Sequence, residues 1–284
     1  MRWPLSAALA LAALAAAGSV LRMRGGWLLL LLSLVSAALI RLQRADKSLK
    51  LPSNRVILGA ILFSALALRL AWIFFVTNEP VSDFAVYREL AQSLASGRGY
   101  SLTGLAGREE AHIYLRQEVS MPYATAWRAP GTALWGALLR LLFGSGAVIF
   151  KVANAALAMV TAWLLYRLGT REGDSRQGLI AAFLWAFYPA SVFSANLYGS
   201  EALFAFLLGL CAYLLSGQTR GFAAAGLAAA AACLTRSMTP AFLIGAGTAL
   251  LHGGRRKAAS GLGLFLAALI LGIAPLTFRN YATM

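Results

Sequence analysis

Four charged side chains stand where an apolar chain rarely carries them. Asp83 lies in EPVSDFAVYREL just beyond an apolar run, and Arg128 lies in TAWRAPG. Glu201 lies in SANLYGSEALF between two apolar runs, and Arg236 lies in AACLTRSMTP at the end of one. Charge at or inside a bilayer is costly, so such residues are functional candidates by default. A positioned carboxylate can give or take a proton, and a guanidinium pairs with phosphate or carboxylate. Each also has a plainer explanation. An acid in the first turn of a helix is favoured by the macrodipole alone, Glu201 can mark a short outer loop, Arg236 can snorkel to headgroups, and Arg128 can be an ordinary loop arginine. Their convergence on one side of the membrane is what sets the four apart. Arg69 and Lys151 are further intramembrane charges without a polar cluster around them, and they read as paired or snorkelling.

The elements that must position these groups follow from composition. Of 284 residues, 60% are hydrophobic and 12% charged, about half the ~25% charge of a soluble domain. This describes an all-α polytopic membrane protein and excludes a soluble enzyme, a disordered chain and a disulfide scaffold. Cys211 and Cys233 both sit in apolar runs, so neither a disulfide framework nor a zinc site is indicated. The formal net charge of +15 belongs to cytoplasmic loops rather than to nucleic acid, because no basic stretch alternates with exposed aromatics.

Apolar runs predict nine spans, near 5–21, 26–40, 56–76, 147–166, 178–195, 199–216, 221–236, 239–252 and 260–276. The first has signal-like features: Arg2, an apolar stretch and Ala15–Ala17. Residues 1–45 form an N-terminal hairpin, and 46–284 the main transmembrane domain. Basic residues in 41–55, 167–177 and 252–259 place those loops in the cytoplasm. Residues 77–146, which hold six of the ten acids, then form the long non-cytoplasmic loop. Within it a surface helix starts at Ser82 as N-cap, repeats Phe84, Tyr87, Leu90, Ala91 and Leu94 at helical spacing, and stops at Gly97. A second helix over 131–143 is juxtamembrane or re-entrant, since a full span there would invert the later basic loops.

His112 and His252 have no second histidine at ligand spacing. No GxSxG, HExxH, Walker A or Rossmann pattern occurs.

The ordered set SDFAVYRELAQSLASGRGYS, WRAPGTALWGALLRLLFG, YPASVFSANLYGSEALF and GLAAAAACLTRSMTPAFLI resembles the polyprenyl-phosphate-sugar-dependent glycosyltransferases of the GT-C superfamily. The likeness is to the branch of protein O-mannosyltransferases and lipid A aminoarabinose transferase, and it covers roughly residues 56–284. It implies a GT-C-like bundle of about nine helices in a bacterial inner membrane, with the site on the outer side. It implies transfer of a sugar from a polyprenyl-phosphate donor to a glycan, lipid or protein acceptor bearing a hydroxyl or amine. Carried onto this sequence, Asp83 is the catalytic base and Arg128 lies near the lipid phosphate. Arg236, Glu201 and Tyr87 complete the expected substrate-binding set. Some relatives use a divalent metal and others none, and no ligand set can be read here. Family members usually continue beyond PLTFRNYATM, so the resemblance also implies a truncated or split enzyme completed by a partner chain.

Two other functions fit many spans with scattered charges. One is a lipid-carrier flippase or transporter, although no internal repeat is present. The other is a catalytically incomplete GT-C-like subunit or pseudoenzyme.

Overall fold

The computed structural model describes residues 53–104, 108, 109, 112, 120–216, 221–236 and 255–283. The expected spans 5–21, 26–40 and 239–252 lie outside the described residues, as do Glu110, Glu118 and His252. The elements from Asn54 onward belong to one compact unit. In chain order they are α1 (Asn54–Phe75), α2 (Asp83–Ala95), β1 (Ser101–Leu102), β2 (Tyr123–Ala124), α3 (Gly131–Phe143), α4 (Ala147–Glu172), α5 (Ser175–Ala186), α6 (Pro189–Ala195), α7 (Glu201–Leu215), α8 (Gly221–Thr235) and α9 (Arg255–Thr283).

The described chain is mostly helical, and its apolar helices make it a multi-pass membrane protein. Among the described residues three helices are long and apolar enough to cross a bilayer: α1, α4 and residues Gly261–Ala282 of α9. The pair α5–α6 makes a fourth if its 53° bend is counted as one broken span. Helices α7 and α8 have 15 residues each, fewer than the ~20 that a straight crossing needs. Of the six expected spans that fall on described residues, 199–216 and 221–236 are thus shorter than a straight crossing needs.

The bend in α5–α6 has a covalent cause. Pro189 cannot donate a helical hydrogen bond and occupies the first turn of α6. The helix stops at Ala186, whose carbonyl belongs to the last turn of α5 and lacks a helical donor, and Arg69 of α1 reaches it. Arg69 is fully buried. Its Nη1 donates to Ala186 O at 2.7 Å and Ala65 O at 3.1 Å, and its Nη2 donates to Ser191 Oγ at 2.8 Å. The expectation of a paired or snorkelling arginine is corrected: Arg69 caps a broken helix. Lys151 likewise meets a carbonyl rather than an acid, donating to Asn78 O at 2.7 Å.

Helix α1 packs on α4 and α5, α7 lies between α4 and α8, and α8 packs on α9. The α7–α9 core is built of small residues, with Ala225, Ala229 and Ala232 buried beside Phe265 and Leu269. Small side chains let helix backbones approach closely, which is how helices associate in lipid. At the other end, α2 and α3 pack on each other around Val86, Leu90, Leu102 and Ala133. A second cluster of Ala91, Leu139, Phe150 and Tyr198 ties this pair to α4 and to the α6–α7 turn.

Gly97, at φ 76°, follows the end of α2, where its N–H reaches Leu94 O and that of Arg98 reaches Ser93 O. Only glycine adopts that conformation freely. The expected cap at the other end is corrected. Ser82 stands at the N-cap position, but its φ is 50° and its hydroxyl makes no capping bond. A capping side chain is aimed at the helix N–H groups from extended backbone, and Ser82 is not extended. Strands β1 and β2 form a two-residue antiparallel ladder, Ser101 opposite Ala124 and Leu102 opposite Tyr123. It closes the base of the long loop.

Candidate functional site

Asp83 stands in the first turn of α2, and Arg128 stands between β2 and α3. They meet as a two-point ion pair: Arg128 Nη2 donates to Asp83 Oδ1 at 2.7 Å and Nη1 to Oδ2 at 3.1 Å. The arginine side chain is 16% exposed and the aspartate 48%, so solvent screening holds the pair to about 1 kcal/mol or less. Its value lies in orientation. The backbone that carries Arg128 is itself tied down. Tyr100 Oη donates to Arg128 O at 2.9 Å. From the C-terminal end of α9, Arg279 donates to Thr125 O at 2.6 Å and Tyr100 O at 3.1 Å, with its guanidinium 5.5 Å from the Tyr100 ring centroid.

Glu201 opens α7, and Arg236 directly follows α8. Arg236 Nη2 donates to Glu201 Oε1 at 2.5 Å, and its Nε donates to Ser200 Oγ at 2.8 Å. The second carboxylate oxygen, Oε2, is buried with no hydrogen-bond donor in reach among the described residues. An acceptor left in that state costs about 1–3 kcal/mol. Arg236 therefore meets an acid as well as the membrane boundary. The turn preceding Glu201 is fixed from three directions. Asn196 Nδ2 donates to Val76 O at 2.7 Å, Asn154 Nδ2 donates to Leu197 O at 2.9 Å, and Tyr198 stacks on Phe150 at 3.8 Å. Burial pushes the Tyr198 phenol up to about 12, so it stays a neutral packing group.

The two ion pairs share one neighbourhood. The start of α3 rests against the end of α8, Gly131 lying against Leu234 and Thr235. Tyr87, one turn along α2 from Asp83, feels all four charges. Its pKa is raised, first by burial; Arg128 and Arg236 oppose the rise, while Asp83 and Glu201 add to it. The phenol therefore stays neutral.

All five residues singled out in the sequence meet at this end of the bundle. The pairing was not legible there: each arginine is matched to a carboxylate from a distant element. Arg279, Tyr100, Asn154 and Asn196 went unnoticed. The two asparagines carried a readable signal, since a lone amide inside or beside an apolar run needs a hydrogen-bond partner. The other loop acids do different work. Glu89 Oε1 accepts from the N–H groups of Thr103 and Gly104, and Glu79 lies 3.7 Å from Arg88 at the surface. A cleft of about 650 Å³ opens on the opposite face of α2 between Arg88, Gln92, Arg98 and Pro122. It touches none of the five. Among the described residues no three His, Cys, Asp or Glu side chains converge as a metal-binding group. Comparison with protein-family models and with curated proteins finds no match for this chain.

Proposed function

We propose that this chain is a membrane glycosyltransferase with a GT-C-like bundle, moving a sugar from a polyprenyl-phosphate donor to an acceptor hydroxyl or amine. The reaction would take place at the outer face of a bacterial plasma membrane. The observation that carries this reading is the convergence of Asp83–Arg128 and Glu201–Arg236 around the protonated Tyr87, at the lipid boundary of an apolar bundle. A lipid donor explains why such a site is set in a membrane protein at all.

In the resting arrangement both Asp83 oxygens accept from Arg128. A lipid phosphate offers Arg128 a stronger partner, since charge-assisted pairs with phosphate form in the same two-point geometry. Transfer of the guanidinium to phosphate frees Asp83 to accept the acceptor proton. The acceptor oxygen or nitrogen then forms its bond to the anomeric carbon as the carbon–oxygen bond to phosphate breaks. The bonding pair leaves with the phosphate, which becomes a dianion. Arg128 and Arg236 stabilise charge that grows only in that transition state. The unmatched Oε2 of Glu201 is an acceptor for a hydroxyl of the sugar.

The test is direct binding of undecaprenyl phosphate to the purified full chain. Arg236→Gln is expected to weaken binding about tenfold or more, as loss of a charged hydrogen bond implies, with little change in Tm. Unchanged affinity would remove Arg236 from the donor site. A flippase is the second reading, because transporters build sites at broken helices such as α5–α6. Here the carbonyl freed by the break is already filled by Arg69, which favours the transferase.

A further inference from the structure

At the far end of α4 a second cluster of arginines forms no ion pair with an acid among the described residues. Trp163, Arg167 and Arg171 fall at positions i, i+4 and i+8 of α4 and so form one stripe. Opposite them stands Tyr213 of α7. The Arg167 guanidinium lies 5.3 Å from the Trp163 ring centroid and 6.0 Å from that of Tyr213, and the Arg171 guanidinium lies 4.5 Å from Tyr213. Arg167 Nη2 and Arg171 Nη2 each stand 3.4 Å from the same Tyr213 hydroxyl. Two full positive charges are thus gathered about one neutral oxygen.

Helix capping explains part of this. Arg171 Nη1 donates to Tyr213 O at 3.1 Å and Ser216 Oγ at 2.9 Å, satisfying the last turn of α7. It does not explain Arg167, whose one hydrogen bond among the described residues is the long one to Tyr213. The nearest acids in sequence do not neutralise the pair. Asp174 accepts from Gln177 N–H as the cap of α5, and Glu172 forms no ion pair among the described residues. The adjoining segment 217–220 contains no acid and one more arginine. The stripe lies in the last turns of a spanning helix, about 24–30 Å along the axis from Lys151 at ~1.5 Å per residue. It is therefore at the opposite membrane boundary from Asp83. Aromatic rings and arginines at that depth are the features that meet lipid headgroups.

We infer that Arg167 and Arg171 hold a phosphate group at this boundary, presented by an anionic phospholipid or by free phosphate. The Trp163 and Tyr213 rings orient the two guanidiniums, and the phosphate oxygens supply the acceptors that they lack. The site is independent of the sugar-transfer reading and stands if that reading falls.

Native mass spectrometry of the purified full chain with phosphatidylglycerol and phosphatidylcholine of identical acyl chains tests it. Wild type is expected to retain phosphatidylglycerol preferentially. At about fivefold per arginine, Arg167→Gln should lower that retention about fivefold and the Arg167→Gln/Arg171→Gln pair about 25-fold. The single variant leaves the α7 cap intact, so it decides the matter if the pair does not fold. Arg88→Gln/Arg98→Gln removes the same charge elsewhere and should leave retention unchanged. Competition by inorganic phosphate identifies a free-phosphate site, and retention that resists it identifies the lipid headgroup. Equal retention of the two lipids by wild type, or equal losses in the two double variants, overturns the inference.

Discussion

Asp83 enters its resting state with each oxygen bound to Arg128, so both acceptor positions stay occupied until the guanidinium moves. Its half-exposed position means that the pair contributes little to stability, so geometry and stability can be separated by substitution. Asn at position 83 keeps the shape and the place at the helix N-terminus. If Asp83 serves only the helix, Asp83→Asn should retain near-normal transfer and lose less than ~1 kcal/mol of stability. The base role leads us to expect a folded protein whose transfer from an undecaprenyl-phosphate-linked sugar falls about 100-fold or more. A rate within a few-fold of wild type would exclude Asp83 as the base. Glu201 presents the reverse situation: one oxygen is bound tightly to Arg236 and the other has no described donor.

At the scale of elements, the site depends on three short pieces meeting a long one. Helices α2 and α3 have 13 residues each and gain their order from packing, because isolated helices of that length are marginal. They pack tightly at Gly136, where a Cβ would overlap Ala91 Cβ and the Tyr198 hydroxyl. Arg279 of α9 then ties the β1–β2 ladder to the bundle through two carbonyls. We predict that Arg279→Gln raises amide hydrogen exchange across 100–128 about tenfold, the effect expected from losing such bonds. Undecaprenyl-phosphate binding should weaken less than in Arg128→Ala, and Arg279→Lys should restore part of both. Exchange identical to wild type would show that the loop does not need the strut.

For the whole molecule, the two ends of α4 belong to opposite membrane boundaries, which gives a topology test on well-placed residues. Ser145 precedes α4 and Glu172 ends it, and both are exposed. Cysteines at these two positions should react with an impermeant thiol reagent from opposite sides, position 145 from outside. Labelling of both from one side would invalidate the orientation drawn from loop charge and the placing of the site on the outer face. Ser101, at the heart of the loop by sequence, is unsuitable for such labelling because it is buried and bonded to Ser93.

The sequence by itself determined which segments are apolar helices, because burial in lipid needs only a local run of side chains. Spans expected at 56–76 and from 147, and a short helix over 131–143, correspond to α1, α4 and α3 within a few residues. It also singled out four charged residues, because charge is conspicuous in an apolar chain, while Tyr87 entered the site only through the resemblance. Local pattern could not say that Arg69 fills the break at Pro189, because its partner Ala186 lies 117 positions away. The same holds for the site. Which carboxylate meets which arginine is decided by the packing of α2, α3, α7, α8 and α9, since a charge is matched by whatever the fold brings within a few ångströms.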